Sequence, residues 1–176
     1  MPLLDRARSL LLLIDLQGRL MPAIDQAEDV VANAVRLEAA ASLLQVPVVI
    51  TEQYPRGLGP TVPELANKGT IIEKMTFSSC TAPGFAEAIA DAEQIVIGGA
   101  EAHICVAQTV LGLLEQGRKV SVVADAVGSR RPQSKAQALD RLARHGADIV
   151  TTEMVLFEWV GTAADPNFKA ISALIK

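Results

Sequence analysis

The sequence is poor in the residues on which several protein classes depend. It has two cysteines, two histidines, one tryptophan, one tyrosine and four phenylalanines among 176 residues. Cys80 and Cys105 are too few for a disulfide framework and have no C-x-x-C spacing, so we expect free thiols in a reducing, cytoplasmic setting. No pair of histidine and carboxylate side chains has a ligand spacing on one element, so the sequence predicts no metal site.

Long apolar runs, excess positive charge and nucleotide-binding motifs are also missing. The apolar run 10–14 ends at Asp15, far short of the roughly 18–20 residues that span a bilayer, and residues 1–8 lack the apolar region of a signal peptide. A net charge of −4 offers no basic surface for nucleic acid. Neither G-x-G-x-x-G after the first apolar run nor G-x4-G-K-S/T occurs. We therefore expect no membrane partner, no nucleic-acid partner and no cofactor.

What the chain does contain is a regular alternation of apolar runs and amphipathic segments. The runs lack polar alternation, which is typical of strands covered on both faces. Because they alternate with helical patterns, we expect one domain over residues 1–176 with an α/β fold. Its three layers (α, β, α) would place helices on both faces of a central, mostly parallel six-stranded sheet. The predicted strands are 10–14, 47–51, 70–73, 94–98, 120–124 and 147–150.

Helical spacing fills the intervals between these strands. The segment Asp25-Gln26-Ala27-Glu28 resembles a capping box for a helix that continues to Gln45. Pro83 is expected to open another helix, and His145 to cap the carbonyl groups at the end of the helix before residue 147. Residues 153–160 are so rich in large apolar side chains that we expect them to contact both the core and a second subunit, as in a homo-oligomer, a dimer or tetramer.

Three chemically reactive side chains follow different strands. Asp15 ends the first strand, Lys74 ends the third, and Cys105 lies in the turn after the fourth. Parallel strands bring their carboxyl ends to one edge of a sheet, where α/β proteins form binding sites. Taken singly, each side chain has a second interpretation: a turn or helix cap for Asp15, a solvated surface group for Lys74 and a small buried residue for Cys105.

The turn before Cys105 favours a nucleophile, because free N–H groups at a helix start, or a nearby lysine, stabilise a thiolate by lowering the thiol pKa. His103 lies two residues earlier and is open to three roles: base, substrate contact or hydrogen-bonding partner of the turn. The loops at the same edge of the sheet supply further candidates for contact with substrate, namely Gln17, Gln53, Tyr54 and Phe77. The alternative interpretation is that these are ordinary loop residues. Cys80 has no partner near it in sequence and is expected to be a buried small residue.

The order of Asp15, Lys74 and Cys105 resembles the Asp–Lys–Cys triad of the isochorismatase-like cysteine hydrolases. The resemblance covers nearly the whole chain, and it is greatest to the isochorismatase-domain-containing hydrolases. The matching segments are 13–17, 51–59, 73–78, 98–106 and 124–130.

The resemblance implies a role for each member of the triad. Cys105 would attack a carbonyl carbon, Asp15 would carry the proton, and Lys74 would hold the pair in place. It also implies a cis peptide bond between Ala100 and Glu101, which would turn the Glu101 N–H beside the Cys105 N–H as an oxyanion hole.

The resemblance has a clear limit. Nicotinamidases of the superfamily bind a metal through histidines, whereas the second loop here has Tyr54 and Arg56 and no histidine. A metal-independent hydrolase that cleaves an amide-like C–N bond of a small molecule is therefore the expectation. Two alternatives stay open: hydrolysis of a vinyl ether in the manner of isochorismatase, which needs Asp15 but not Cys105, and a non-catalytic binding or scaffold protein.

Overall fold

Six apolar segments pair as parallel strands in the computed structural model, which describes residues 3–176. The strands are β1 (Ser9–Ile14), β2 (Val48–Gln53), β3 (Thr70–Lys74), β4 (Gln94–Ala100), β5 (Lys119–Gly128) and β6 (Asp148–Val150). Their order across the sheet is β3-β2-β1-β4-β5-β6, and every pairing is parallel. The predicted α/β fold is confirmed, and β2, β4 and β5 run two to four residues further than predicted, toward the edge where the reactive side chains lie.

Helices and short turns connect the strands. The α-helices are α1 (Ala27–Leu44), α2 (Pro55–Leu58), α3 (Phe85–Ala88), α4 (Ala107–Glu115), α5 (Pro132–Arg144), α6 (Thr152–Val160) and α7 (Phe168–Ala173). Single 3-10 turns occupy Arg6–Arg8, Met21–Ala23, Pro63–Leu65 and Ser79–Thr81, and a π-helical turn, Ala102–Val106, precedes α4.

Successive residues of β1 enter two separate cores, one on each face of the sheet. Leu11 and Leu13 join the apolar side chains of α1, α6 and α7. Leu10, Leu12 and Ile14 join those of α3, α4 and α5. Because side chains alternate along a strand, a run that is apolar at every position has to be covered on both sides. This is the physical basis of the three-layer arrangement.

Two helix starts differ from the predictions. Helix α1 has Gln26 as its cap in the left-handed conformation (φ 53°) and no side-chain cap, so the capping box predicted from Asp25 to Glu28 is wrong. The short helix α3 begins at Phe85 after a left-handed Gly84, so Pro83 does not open it. In both places a left-handed residue sets the direction of the helix, and the sequence pattern alone does not reveal it.

A close approach of β1 and β4 marks the centre of the sheet. At Gly99, φ is 134° and an added Cβ would lie 2.2 Å from the Ile14 carbonyl oxygen, so only glycine fits there. Strand order reverses between these two strands, and ligands of open α/β sheets bind outside the carboxyl ends of strands at such a point. The catalytic candidates lie on both sides of it.

Within residues 3–176 no helix has the length and apolar character needed to cross a membrane.

Candidate active site

Asp15 and Lys74 form a buried ion pair at the carboxyl edge of the sheet. Lys74 Nζ lies 2.7 Å from Asp15 Oδ2, and both side chains are fully shielded from solvent. Lys74 ends the edge strand β3, and its side chain crosses β2 to reach the residue that follows β1. The same ammonium group also contacts the carbonyl oxygens of Phe77 at 3.1 Å and Thr76 at 3.4 Å, so all three donors of the lysine have acceptors.

The second carboxylate oxygen of Asp15 is held by β2. Thr51 Oγ1 donates to Asp15 Oδ1 at 2.6 Å, and the Asp15 N–H donates to the Thr51 carbonyl at 3.0 Å. Asp15 itself is left-handed (φ 54°), a conformation that aspartate tolerates better than most residues. The backbone leaves the line of β1 at this residue, and the carboxylate is fixed in one orientation.

Cys105 lies in the π-helical turn between β4 and α4, and its side chain lines a small cavity together with Asp15. The cavity has a volume of about 310 Å³. Its other lining residues are Leu20, Ala23, Gln53, Leu58, Phe77, Glu101, Ile104 and Arg130. Cys105 is buried, and both cysteines are free thiols.

The electrostatics of the cavity favour a neutral thiol in the resting protein. Burial and, to a smaller extent, the negative charge of Asp15 together raise the pKa of the Cys105 thiol to about 12, although Lys74 opposes the increase. Lys74 lowers this pKa as expected for a nearby lysine, but burial and the nearby carboxylate outweigh its effect.

The surroundings of the cavity also raise the pKa of the Asp15 carboxyl group. Its burial raises its pKa above the ordinary value for aspartate, although Lys74 and the hydrogen bond from Thr51 both oppose that shift. A carboxyl group whose pKa is raised toward neutrality is better suited to accept and return a proton than an exposed one.

Glu101 and Cys105, whose backbone N–H groups the resemblance assigns to an oxyanion hole, both line the cavity. The peptide bond between Ala100 and Glu101 is cis, as the resemblance implies. The N–H groups of Ile104 and Val106 donate to the Glu101 carbonyl oxygen at 3.0 and 3.2 Å. An oxyanion hole formed by the Glu101 and Cys105 N–H groups stays a prediction.

Of the five side chains predicted to contact substrate, Gln53 and Phe77 line the cavity. Gln17 does not: it is fully buried, donates to the carbonyls of Gly59 at 2.6 Å and Gln53 at 3.1 Å, and accepts from the Gln53 N–H at 2.8 Å. The prediction that Gln17 binds substrate is corrected accordingly, since its side chain has no exposed surface, does not line the cavity and uses both amide donors within the protein.

Tyr54 and His103 also lie outside this cavity. Tyr54 is left-handed (φ 42°), is 46% exposed and covers Gly57 with its ring. His103 faces a neighbouring cavity, and its Nδ1 lies 3.0 Å from Ser129 Oγ. This contact joins the turn to the loop after β5, and the three roles predicted for His103 stay open.

Sequence reasoning missed Arg130 and the carboxylate of Glu101. Arg130 lines the cavity, and its Nε lies 2.9 Å from Glu101 Oε1. The Arg130 backbone N–H donates to the other carboxylate oxygen at 3.0 Å. The signal that points to Arg130 is its position in the loop after β5, at the same sheet edge as the other candidates.

Cys80 does not line this cavity. Cys80 packs against Gly112 of α4, and its thiol lies 3.5 Å from the Thr109 carbonyl oxygen. In the part of the chain that the structure describes, no three His, Cys, Asp or Glu side chains are grouped to hold a metal ion.

Comparison with known proteins identifies the family. The isochorismatase domain matches residues 9–154. Isochorismatase domain-containing protein 2 of Danio rerio is 44% identical over 170 residues, which amount to 95% of this chain and 86% of that protein.

Solved structures share the fold over nearly the whole chain. MAR1 ribonuclease from Caenorhabditis elegans has 35% identity and a TM-score of 0.93, covering 98% of this chain and 91% of that one. YcaC from Pseudomonas aeruginosa, solved with hexane-2,5-diol and covalent acrylamide, has 26% identity and a TM-score of 0.93, covering 98% and 91%. The Escherichia coli YcaC protein, described as an octameric hydrolase of unknown specificity, has 25% identity and a TM-score of 0.94, covering 99% and 90%. By its sequence and its fold, this chain belongs to the isochorismatase family of hydrolases.

Proposed function

We propose that this protein is a metal-independent cysteine hydrolase that cleaves an amide-like C–N bond of a small molecule through a thioester on Cys105. The observation that carries the proposal is that Asp15 shares a cavity with Cys105 and is paired with Lys74. Lys74 and Asp15 are joined at 2.7 Å, and Asp15 and Cys105 both line the cavity wall. A nucleophile, a proton carrier and a charge that orients the carrier are what covalent hydrolysis requires.

In the first step, the Asp15 carboxylate accepts the proton of the Cys105 thiol while the sulfur attacks the carbonyl carbon. A resting thiol pKa of about 12 is compatible with this step, because the proton moves to a neighbouring carboxylate instead of to solvent. The carbonyl oxygen gains negative charge, and the N–H groups of Glu101 and Cys105 would stabilise it. One such donor is worth about 3–4 kcal/mol in other hydrolases.

In the second step, the C–N bond breaks and Asp15 returns its proton to the leaving nitrogen. The product is an amine and a thioester on Cys105. Water then gives a proton to Asp15 and attacks the thioester carbon, the C–S bond breaks, and the proton returns to sulfur. One water is consumed, and Lys74 keeps Asp15 in place throughout.

A comparison supports a reactive nucleophile in this fold. The Pseudomonas aeruginosa relative carries covalent acrylamide. Acrylamide is an electrophile, and in proteins the thiolate of cysteine is a strong nucleophile. By analogy, Cys105 is the residue of this cavity that we expect to form such a bond.

Vinyl-ether hydrolysis is the second candidate function, and the raised pKa of Asp15 favours it. In that reaction Asp15 would protonate the substrate carbon, and Cys105 would not form a bond.

Cleavage of RNA is a third outcome to test, because the Caenorhabditis elegans relative is named a ribonuclease. A net charge of −4 and a cavity of about 310 Å³ favour a small molecule over a polyanion.

The test is a hydrolysis screen with amides, vinyl ethers and a short RNA. It compares the wild type with Cys105→Ser and uses Cys80→Ser as the matched control, since Cys80 lies against α4 and away from the cavity. We expect amide turnover that Cys80→Ser keeps and Cys105→Ser loses by at least about 10³-fold. Vinyl-ether turnover that survives Cys105→Ser would support the second candidate instead.

A scaffold without catalysis makes a different prediction. It predicts no turnover of any compound and no difference between the two cysteine variants. A covalent product on Cys105 after incubation with a hydrolysed amide would exclude it. We further propose a cytoplasmic setting, because both cysteines are free thiols, as is usual in a reducing compartment.

We also propose that the chain self-associates through α6. Val155, Leu156 and Trp159 of this helix are buried in the core, whereas Met154 is 45% and Phe157 is 36% exposed. Exposed large apolar groups on one helix face are typical of a subunit contact. Light scattering should give a mass that is a multiple of 18.6 kDa, and Met154→Glu should lower it.

A further inference from the structure

A second cavity adjoins that of Cys105 and has a different chemistry. Its volume is about 460 Å³, and it is lined by His103, Arg130, Arg131 and Ser134. Arg130 lines both cavities, so they meet at this side chain. The lining residues include two guanidinium groups, an imidazole and a hydroxyl, and no carboxylate. In a chain whose net charge is −4, this is a local concentration of positive charge beside the candidate active site.

Glu101 and Ser129 orient two of the basic side chains, Arg130 and His103. The Nε of Arg130 lies 2.9 Å from Glu101 Oε1, while the side chain remains 58% exposed. Glu101 thus engages one of the five guanidinium donors and orients the rest. The His103 Nδ1 lies 3.0 Å from the hydroxyl of buried Ser129, and this leaves the Nε2 edge of the ring for the cavity. Glu101 also lies 3.9 Å from His103 Nδ1.

Helix α5 contributes the remaining wall. The helix has 13 residues, begins at Pro132 and lacks a side-chain cap. Its first turn supplies Ser134 to the cavity, and Arg131 is the residue immediately before the helix. The partial positive charge of a helix start adds to that of the two arginines.

We propose that this cavity binds an oxyanion, a carboxylate or a phosphate group, of the substrate whose C–N bond lies at Cys105. Paired arginines bind such groups through two parallel N–H···O bonds, which lysines do not provide. Because Arg130 joins the two cavities, the anionic group and the cleaved bond belong to one molecule that spans both. The inference rests on the proposed function for the position of the cleaved bond, whereas anion binding stands on the cavity alone.

The two histidines of the chain provide a test by NMR. His103 lines the cavity, whereas His145 lies at the far end of α5 with its Nδ1 2.8 Å from the Arg141 carbonyl oxygen. Full-length protein is titrated at fixed neutral pH with inorganic phosphate and, separately, with acetate, and the imidazole C–H signals are followed. We expect a saturable shift of the His103 signal with at least one of the two anions and no shift of the His145 signal. The anion with the lower midpoint distinguishes a phosphate ligand from a carboxylate ligand.

Two arginine variants make the test specific. Arg131→Gln should raise the midpoint about tenfold, the loss expected when one strong charged contact is removed. Arg144→Gln is the matched control, because it removes the same charge from the other end of α5, where Arg144 pairs with Asp140 at 2.6 Å. The control should leave the midpoint unchanged. Shifts that do not saturate, that are equal at both histidines, or that respond equally to both variants would overturn the proposal.

Failure of this inference can be separated from failure of the proposed function. The NMR signals do not depend on Cys105 chemistry, so Cys105→Ala protein should bind the anion with the same midpoint as the wild type. If the hydrolase proposal fails, the titration therefore still shows whether the cavity binds an anion. Conversely, a Cys105-dependent hydrolase whose His103 signal does not saturate would keep its reaction class and lose this anion site.

Discussion

Lys74 Nζ and Asp15 Oδ2 lie 2.7 Å apart with no solvent exposure of either side chain, although their strands are separated by β2. Lys74 fixes the Asp15 carboxylate beside Cys105 and offsets the buried negative charge of that carboxylate. It therefore links the stability of the sheet edge to the chemistry proposed for the cavity.

Removing the lysine should destabilise the protein. In Lys74→Met, the Asp15 carboxylate loses its partner inside the protein, and an unpaired buried charge costs about 3–5 kcal/mol. Urea unfolding at neutral pH measures this as a lower midpoint. The double variant Asp15→Asn/Lys74→Met removes both charges and should recover part of the loss. Equal midpoints for the single and double variants would contradict a stabilising role of Lys74 through Asp15.

The rate of Cys105 alkylation should follow a thiol of unusually high pKa. Because the pKa is raised to about 12, the thiolate fraction increases about tenfold per pH unit over the accessible range and does not level off near pH 9 as for an ordinary thiol. Iodoacetamide labelling between pH 6 and pH 10, quantified for the Cys105 peptide by mass spectrometry, measures this. A plateau below pH 9 would mean that the thiol is already ionised near neutrality.

Asp15→Asn should separate thiol reactivity from turnover. The negative charge of Asp15 raises the pKa of Cys105, so its removal lowers that pKa and increases the thiolate fraction at neutral pH. We therefore expect faster iodoacetamide labelling of Cys105 in the variant. Amide turnover should fall by about 10²–10⁴-fold, because no group remains to carry the proton to the leaving nitrogen. Slower labelling together with unchanged turnover would contradict both assigned effects of Asp15.

Gln17 should affect folding more than substrate affinity. Gln17→Leu leaves the Gly59 and Gln53 carbonyls and the Gln53 N–H without their partner, and each unsatisfied buried group costs about 1–3 kcal/mol. We expect a lower thermal midpoint with a KM close to that of the wild type. The comparison variant Gln53→Ala alters a side chain that does line the cavity and should change KM. A large KM change for Gln17→Leu without loss of stability would restore it as a substrate contact.

Much of the fold is readable from the sequence because burial dictates it. The run from Leu11 to Ile14 is wholly buried and apolar at every position, and only a strand covered on both faces explains that pattern. The location of the site at the carboxyl edge follows from parallel pairing, which brings the carboxyl ends of β1, β3 and β4 to the same edge of the sheet. This much needs only the alternation of strands and helices.

The details of the site need the spatial order of strands and the shape of the turns. Lys74 reaches Asp15 only because β3 lies two strands from β1, an order that the chain sequence does not state. Residues 102–106 form a π-helical turn, and in this turn Cys105 faces one cavity while His103 faces the next. Residue spacing does not distinguish such a turn from an ordinary helix start. The high pKa of Cys105 likewise depends on burial that only the structure reveals.

Intact-protein mass spectrometry detects a covalent intermediate on Cys105 without any assumption about the later steps. Wild type and Cys105→Ala are mixed with an amide that the wild type hydrolyses, and the reaction is stopped with acid during turnover. We expect the wild-type mass to increase by one acyl group, peptide mapping to assign this group to Cys105, and Cys105→Ala to show no increase. Rapid amide turnover by Cys105→Ala, or an acyl group on another residue of the wild type, would contradict a covalent intermediate on Cys105.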